Sequence, residues 1–130
     1  APRVHALLTR WMRWATRSVE IDGGCIFVAA ASELDDTEGL LRESAVDAQN
    51  AWVETLRRAA SLAVAEGHFG EDLACDQFAF EAYGILLSRH LYGRFLRHPD
   101  APALTVSALR ALLARAADGA PNPQPIPELA

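Results

Sequence analysis

The stretch Asp76–Leu96, DQFAFEAYGILLSRHLYGRFL, decides how this chain folds. Placed on a helix, Phe78, Ala82, Ile85, Tyr92 and Leu96 run down one side. Phe80, Tyr83, Leu87 and Leu91 run down another, and Gln77, Glu81, Gly84, Ser88 and Phe95 form a third, small or mildly polar stripe. The ionisable residues Glu81, Arg89, His90 and Arg94 are scattered around the circumference. A surface helix shows one apolar stripe opposite a polar one, so this is not a surface helix. Its charges also make it a poor membrane span. The pattern predicts a central helix, with one side in its own core and the other against a second subunit.

Downstream, Arg97-His98-Pro99-Asp100 ends that helix. Asp100 as cap and Pro102 in the first turn predict a last helix over about Ala101–Ala117, with Leu104, Ala108, Leu109, Leu112 and Leu113 as its apolar positions. The segment PNPQPIPELA then predicts an extended, disordered tail. Residues 1–118 are expected to form one domain and 119–130 the Pro-rich tail.

Upstream, GHFGEDL reads as a turn, with Gly67 stopping the helix before it. That preceding helix is expected over Thr37–Gly67, with Leu41, Ala45, Ala48, Trp52, Leu56, Ala59 and Ala63 on one stripe and Asp36 or Thr37 as cap. CIFVAAASEL, before it, is too apolar for a surface loop and reads as a short buried helix or turn. The acids Glu33, Asp35 and Asp36 suit the N-terminal end of the helix that follows. Asp22-Gly23-Gly24 breaks an amphipathic first helix, Val4–Val19. In that helix Val4, Leu7, Leu8, Trp11, Ala15 and Ser18 share a face, opposite Arg10, Arg13 and Arg17. With no strand signal, the fold class is all-α.

Bulk properties limit the function. A chain of 130 residues with 51% hydrophobic content is about one globular domain. Its 12 basic residues are all arginines, spread without a cluster, and the net charge is −5, so these residues lack the footprint of a nucleic-acid surface. Cys25 and Cys75 lie far apart and read as free thiols in a reducing compartment. No apolar run is long enough for a membrane span, and a cytoplasmic location is expected. The chain begins without Met, which suggests a fragment or processed product.

A search for chemistry returns no catalytic constellation. His5, His68, His90 and His98 never pair at helical spacing, the cysteines lack zinc spacing, and no Gly-rich phosphate loop occurs. No catalytic residue, metal or cofactor is expected. What stands out instead is a set of aromatics on different helices: Trp11, Trp14, Phe27, Trp52, Phe80 and Tyr83. Aromatics at helical spacing are commonly plain core. Here bulky rings alternate with alanine and glycine, which packs less evenly, and Trp and Tyr bring donors that want partners when buried. Both features favour a ligand cavity. Gly84 and Ser88, four apart, let another backbone approach closely, either within the chain or across a subunit interface.

In order and spacing, GGCIFVAAASELDD, AQNAWVETLRRAASLAVAEGHF and DQFAFEAYGILL together resemble the C-terminal regulatory domain of TetR-type transcriptional repressors, over about Val4–Ala117. The resemblance implies an all-helical domain that binds a small apolar or aromatic effector and forms a homodimer through its last two helices. It implies an effector site at Trp11, Trp14, Cys25, Phe27, Trp52, Phe80, Tyr83 and Leu87. It implies a dimer interface at Glu81, Gly84, Ser88, Leu91, Tyr92, Phe95, Leu109 and Leu112. DNA binding is implied only through an N-terminal helix-turn-helix domain that these residues do not include. The alternative, from another class, is a small helical enzyme or carrier using the same cavity, for which only Cys25, Glu81, His90 and Tyr83 offer polar groups. A third is an interaction module with a filled core.

Overall fold

A computed structural model describes the backbone of residues 1–20, 24–126, 128 and 129, and the side chains of all of these except 16–20. Five α-helices follow one another: α1 (Pro2–Glu20), α2 (Ile26–Glu33), α3 (Leu40–Ala65), α4 (Cys75–His90) and α5 (Ala101–Ala117). Among the described residues there is no strand. The fold is all-α, as the sequence predicts.

α4 lies at the centre, packed against α1, α3 and α5. Its buried side chains are Phe78, Ala79, Ala82, Leu86 and Arg89. They meet Val4, Leu8 and Met12 of α1, Leu56, Ala59, Ala60 and Ala63 of α3, and Leu109, Leu112, Leu113 and Ala116 of α5. The alanines let α3 come close, and Phe69 from the turn after α3 stacks on Phe78 with ring centroids 5.6 Å apart. Gly70 holds that turn against α5: its N–H donates to the Ala116 carbonyl at 2.9 Å. A Cβ there would stand 2.5 Å from the Asp118 carbonyl oxygen.

Four details differ from the sequence expectation. First, α3 starts at Leu40, with Gly39 at φ +113 as its N-cap. Thr37 does not cap it, because its hydroxyl donates instead to the Leu34 carbonyl at 3.0 Å. Second, the helix expected to reach Leu96 stops as an α-helix at His90 and continues as one π-helical turn, Leu91–Phe95, closed by Leu96 N–H to Leu91 O at 2.9 Å. A π turn holds an extra residue and rotates the side chains that follow it. Arg97, at φ +52, then ends the segment where a glycine is the easier choice. Third, no side chain of α2 is fully buried. The first half of α3 likewise buries none before Leu56.

Fourth, the tail is laid on the domain. Asn122 donates its N–H to the Gly67 carbonyl at 2.8 Å, and Leu129 is completely buried beside the core. An apolar side chain late in a polar segment can dock wherever the core leaves a slot, which proline content alone does not reveal. Asp22, Gly23, Pro127 and Ala130 lie outside the described residues, as do the side chains of Arg17 and Ser18.

On α3, Glu54 accepts from Arg57 Nε at 2.6 Å and from Arg58 Nε at 2.6 Å. Hydrogen bonds from Arg57 and Arg58 hold the Glu54 carboxyl at about 2, below its ordinary 4.5. A carboxyl depressed on folding contributes stability above its unfolded value, and that contribution is lost as pH falls through the folded value. The difference in Tm between the unaltered chain and Glu54→Gln is expected to be present above pH 4.5 and to close as pH falls toward about 2. Thermal melts across that range read it directly. A second expectation separates the two halves of α3. Leu56→Ala, in the core, should cost about 3 kcal/mol in urea unfolding, whereas Leu40→Ala, exposed at the other end, should stay within about 0.5 kcal/mol.

Candidate functional site

Above the core the helices diverge and leave a cavity of about 270 Å³. Trp11 and Trp14 of α1 form one wall, Trp52 of α3 with Ala48 and Gln49 a second, and Tyr83, Leu86, Leu87 and His90 of α4 the floor. Cys25, Phe27 and Val28 close it from the start of α2. Local sequence explains each contribution. Trp11 and Trp14 are three apart, so they neighbour one another on the helix, with centroids 6.1 Å apart. Ala48 and Trp52 are four apart, which sets a large ring beside a methyl and leaves room over the methyl. Tyr83, Leu87 and His90 repeat at four and three along α4, one stripe turned toward α3.

α2 is held over the cavity by a side-chain to main-chain bond. Gln49 Nε2 donates to the Phe27 carbonyl at 3.0 Å. The site is largely apolar, and its polar groups are few. Burial raises the Tyr83 phenol pKa, and the neighbouring Cys25 adds to that shift. Burial lowers the His90 pKa, and the cations of Arg94 and Arg89 push it the same way. The imidazole is thus biased toward its neutral form. Cys25 is buried and Cys75 half-buried, and both are free thiols. Among the described residues no group of three His, Cys, Asp or Glu is placed to hold a metal.

Seven of the residues named for an effector site line this one cavity: Trp11, Trp14, Cys25, Phe27, Trp52, Tyr83 and Leu87. Phe80 does not, and is 71% exposed. It shares an azimuth with Leu87 but lies two turns nearer the start of α4, about 10 Å along the axis. The cavity does not extend that far. Direction on the helical wheel was legible for Phe80; depth along the axis was not. Gln49, Ala48, Leu86 and Val28 also line the cavity without being named for it, and so does His90, named only as a polar group for the enzyme or carrier alternative. For His90, the spacing from Tyr83 and Leu87 held the signal.

The opposite face of α4 is bare. Gly84 has nothing within 4 Å of where a Cβ would stand. Ser88 is exposed there; Phe80 is exposed at its edge, on the side of Leu87, and in the π turn Tyr92, Leu91 and Phe95 are exposed, the last two lining a groove beside α2. From α5, Leu104, Ser107, Ala111 and Ala114 are exposed. Arg115 of α5 pairs with Glu81 of α4, tying the two helices edge to edge. Leu109 and Leu112, named for the same interface, are placed elsewhere: at 0% and 3% exposure they belong to the protomer's own core. They share a phase with Thr105, Leu113 and Ala116, which face α4, while the outward phase is that of Leu104 and Ala111.

The matching family model is the tetracyclin repressor-like, C-terminal domain, over residues 1–109. The chain belongs to this family. No curated protein and no solved structure matches it. As a tetracyclin repressor-like C-terminal domain the chain belongs to a regulatory rather than catalytic class. No helix among the described residues is long and apolar enough to cross a membrane.

The cavity walls make a direct test of the space itself. Ala48→Trp fills the void without touching the core below Leu56. It is expected to leave Tm unchanged or raised while abolishing quenching of the native tryptophans by small apolar ring compounds. Loss of quenching together with a large fall in Tm would point to unfolding instead.

Proposed function

We propose that this domain binds a small apolar or aromatic effector in the cavity and forms a homodimer through the outer faces of α4 and α5. The observation behind the reading is the position of α4 between two unfilled apolar surfaces. One is enclosed by three tryptophans. The other is open, with small residues at Gly84 and Ser88 and exposed rings nearby at Phe80 and Tyr92. An apolar cavity with few convergent polar groups suits a small ligand. A contiguous exposed apolar face on a globular domain suits a protein partner, and a self-complementary one suits a two-fold dimer.

In the parent regulator, a repressor by family analogy, each copy would carry a helix-turn-helix domain N-terminal to α1. Effector binding would then act by differential affinity for two spacings of those heads. A ligand against Tyr83 and Leu87 touches the same helix whose far side meets the partner, so a shift of α4 reaches both. DNA binding itself is left to the N-terminal domain, since this chain carries a net charge of −5 and its arginines are spread without a dense cluster.

Sedimentation velocity at micromolar concentration should show a dimer. Gly84→Glu should convert it to a monomer with unchanged helical circular dichroism, because the protomer has open space at that position and only a partner would bury the carboxylate. A dimer that persists in Gly84→Glu would place the interface elsewhere.

A further inference from the structure

α2 is the least secured helix of the fold. It spans 8 residues and buries none of their side chains. Hollows undercut it on three sides. Phe27 and Val28 reach over the tryptophan cavity. A second hollow, of about 280 Å³, is lined by Ala30, Ala31 and Leu34 together with Ala45, Val46 and Val53 of α3. Val28, Ala29 and Ser32 border a third, wider groove toward the π turn. A helix this short is marginal in water by itself and owes its shape to packing. Packed this thinly, α2 belongs to the part of the fold that opens most easily.

One bond fastens it. Among the described residues, the hydrogen bond from Gln49 Nε2 to the Phe27 carbonyl, at 3.0 Å, is what ties α2 to another helix. Gln49 and Tyr83 line both the tryptophan cavity and the second hollow, so the Gln49 side chain stands at the seam between the two. Each end of the segment carries a glycine in a conformation that other residues resist: Gly24 at φ +66 and Gly39 at φ +113. Among the described residues nothing stands within 4 Å of the place a Cβ on Gly39 would take. A backbone rotation there meets no obstacle, and positions at the end of an element that absorb such a rotation act as hinges.

We propose, resting on the effector-binding reading above, that α2 is the gate of the cavity and Gln49 its latch. When the Gln49–Phe27 bond breaks, α2 swings about Gly39, the cavity and the second hollow merge, and a ligand enters or leaves. When the bond re-forms, Phe27 and Val28 close over the ligand. Gln49 is a positioning residue: it sets how often the site is open, not how tightly the ligand is held. Weakening the latch therefore speeds entry and exit alike.

The test reads the gate twice in the 130-residue chain, the first time with no ligand. Amide hydrogen exchange followed by mass spectrometry should run faster in residues 26–34 than in α4 and α5. Gln49→Met keeps the length of the side chain and removes the donor. It should speed exchange of residues 26–34 by about fivefold, the effect of losing one neutral hydrogen bond, and leave α4 and α5 unchanged. The second reading is stopped-flow quenching of the cavity tryptophans by the neutral two-ring probe 1-naphthylamine. In Gln49→Met its kon and koff should both rise about fivefold, with Kd held within about twofold, whereas contact substitutions mostly move koff. Gln49→Glu, which also lacks the donor, repeats both readings should Gln49→Met lose its helical circular dichroism. Exchange of residues 26–34 in step with α4 and α5, or unmoved by the substitution, overturns the gate. So does a rise in koff alone, which marks Gln49 as an ordinary contact. Faster exchange in the variant with no binding of 1-naphthylamine by either chain supports the latch and overturns the effector reading.

Discussion

A helix with no polar face must be covered on nearly every side, and that requirement on α4 sets the arrangement of the other four helices. α3 and α5 flank it and α1 crosses it, and together they bury Phe78, Ala82 and Leu86. Coverage by the chain's own residues is incomplete in two places. Toward α2 the gap is concave and ringed; toward solvent it is flat and small-sided. The physical character of each gap follows from residue size. Trp11, Trp14 and Trp52 hold helices apart, while Gly84 and Ser88 leave a surface on which another helix can lie close.

The fold was legible in the sequence because its signals were periodic. Leu56, Ala59 and Ala63 on α3 and Leu109, Leu112 and Leu113 on α5 repeat at helical spacing and are buried as that spacing requires. Signals with no period were lost. The π turn depends on where one residue is inserted, which apolar spacing does not mark. The docking of Leu129 depends on a vacancy formed by residues far away in sequence. Assigning Leu109 and Leu112 to a partner failed because apolar content does not say which of two apolar surroundings a side chain enters.

The candidate site was legible to a similar depth. Facing direction brought seven aromatic or apolar residues to one cavity and misplaced Phe80, since position along an axis needs the neighbouring helices.

The absence of any fully buried side chain on α2 has a consequence for how sequence change is tolerated. Folding free energy resides in the half of the molecule below Leu56, where the leucines, alanines and Phe69 interlock. α2 and the part of α3 before Leu56, which bury no side chain, contribute little to it. Substitutions below therefore change how much folded protein a cell holds, and substitutions in α2 or at residues 40–52 reshape the cavity at little cost in stability. The two can drift independently, so the cavity can change its shape without passing through unstable intermediates.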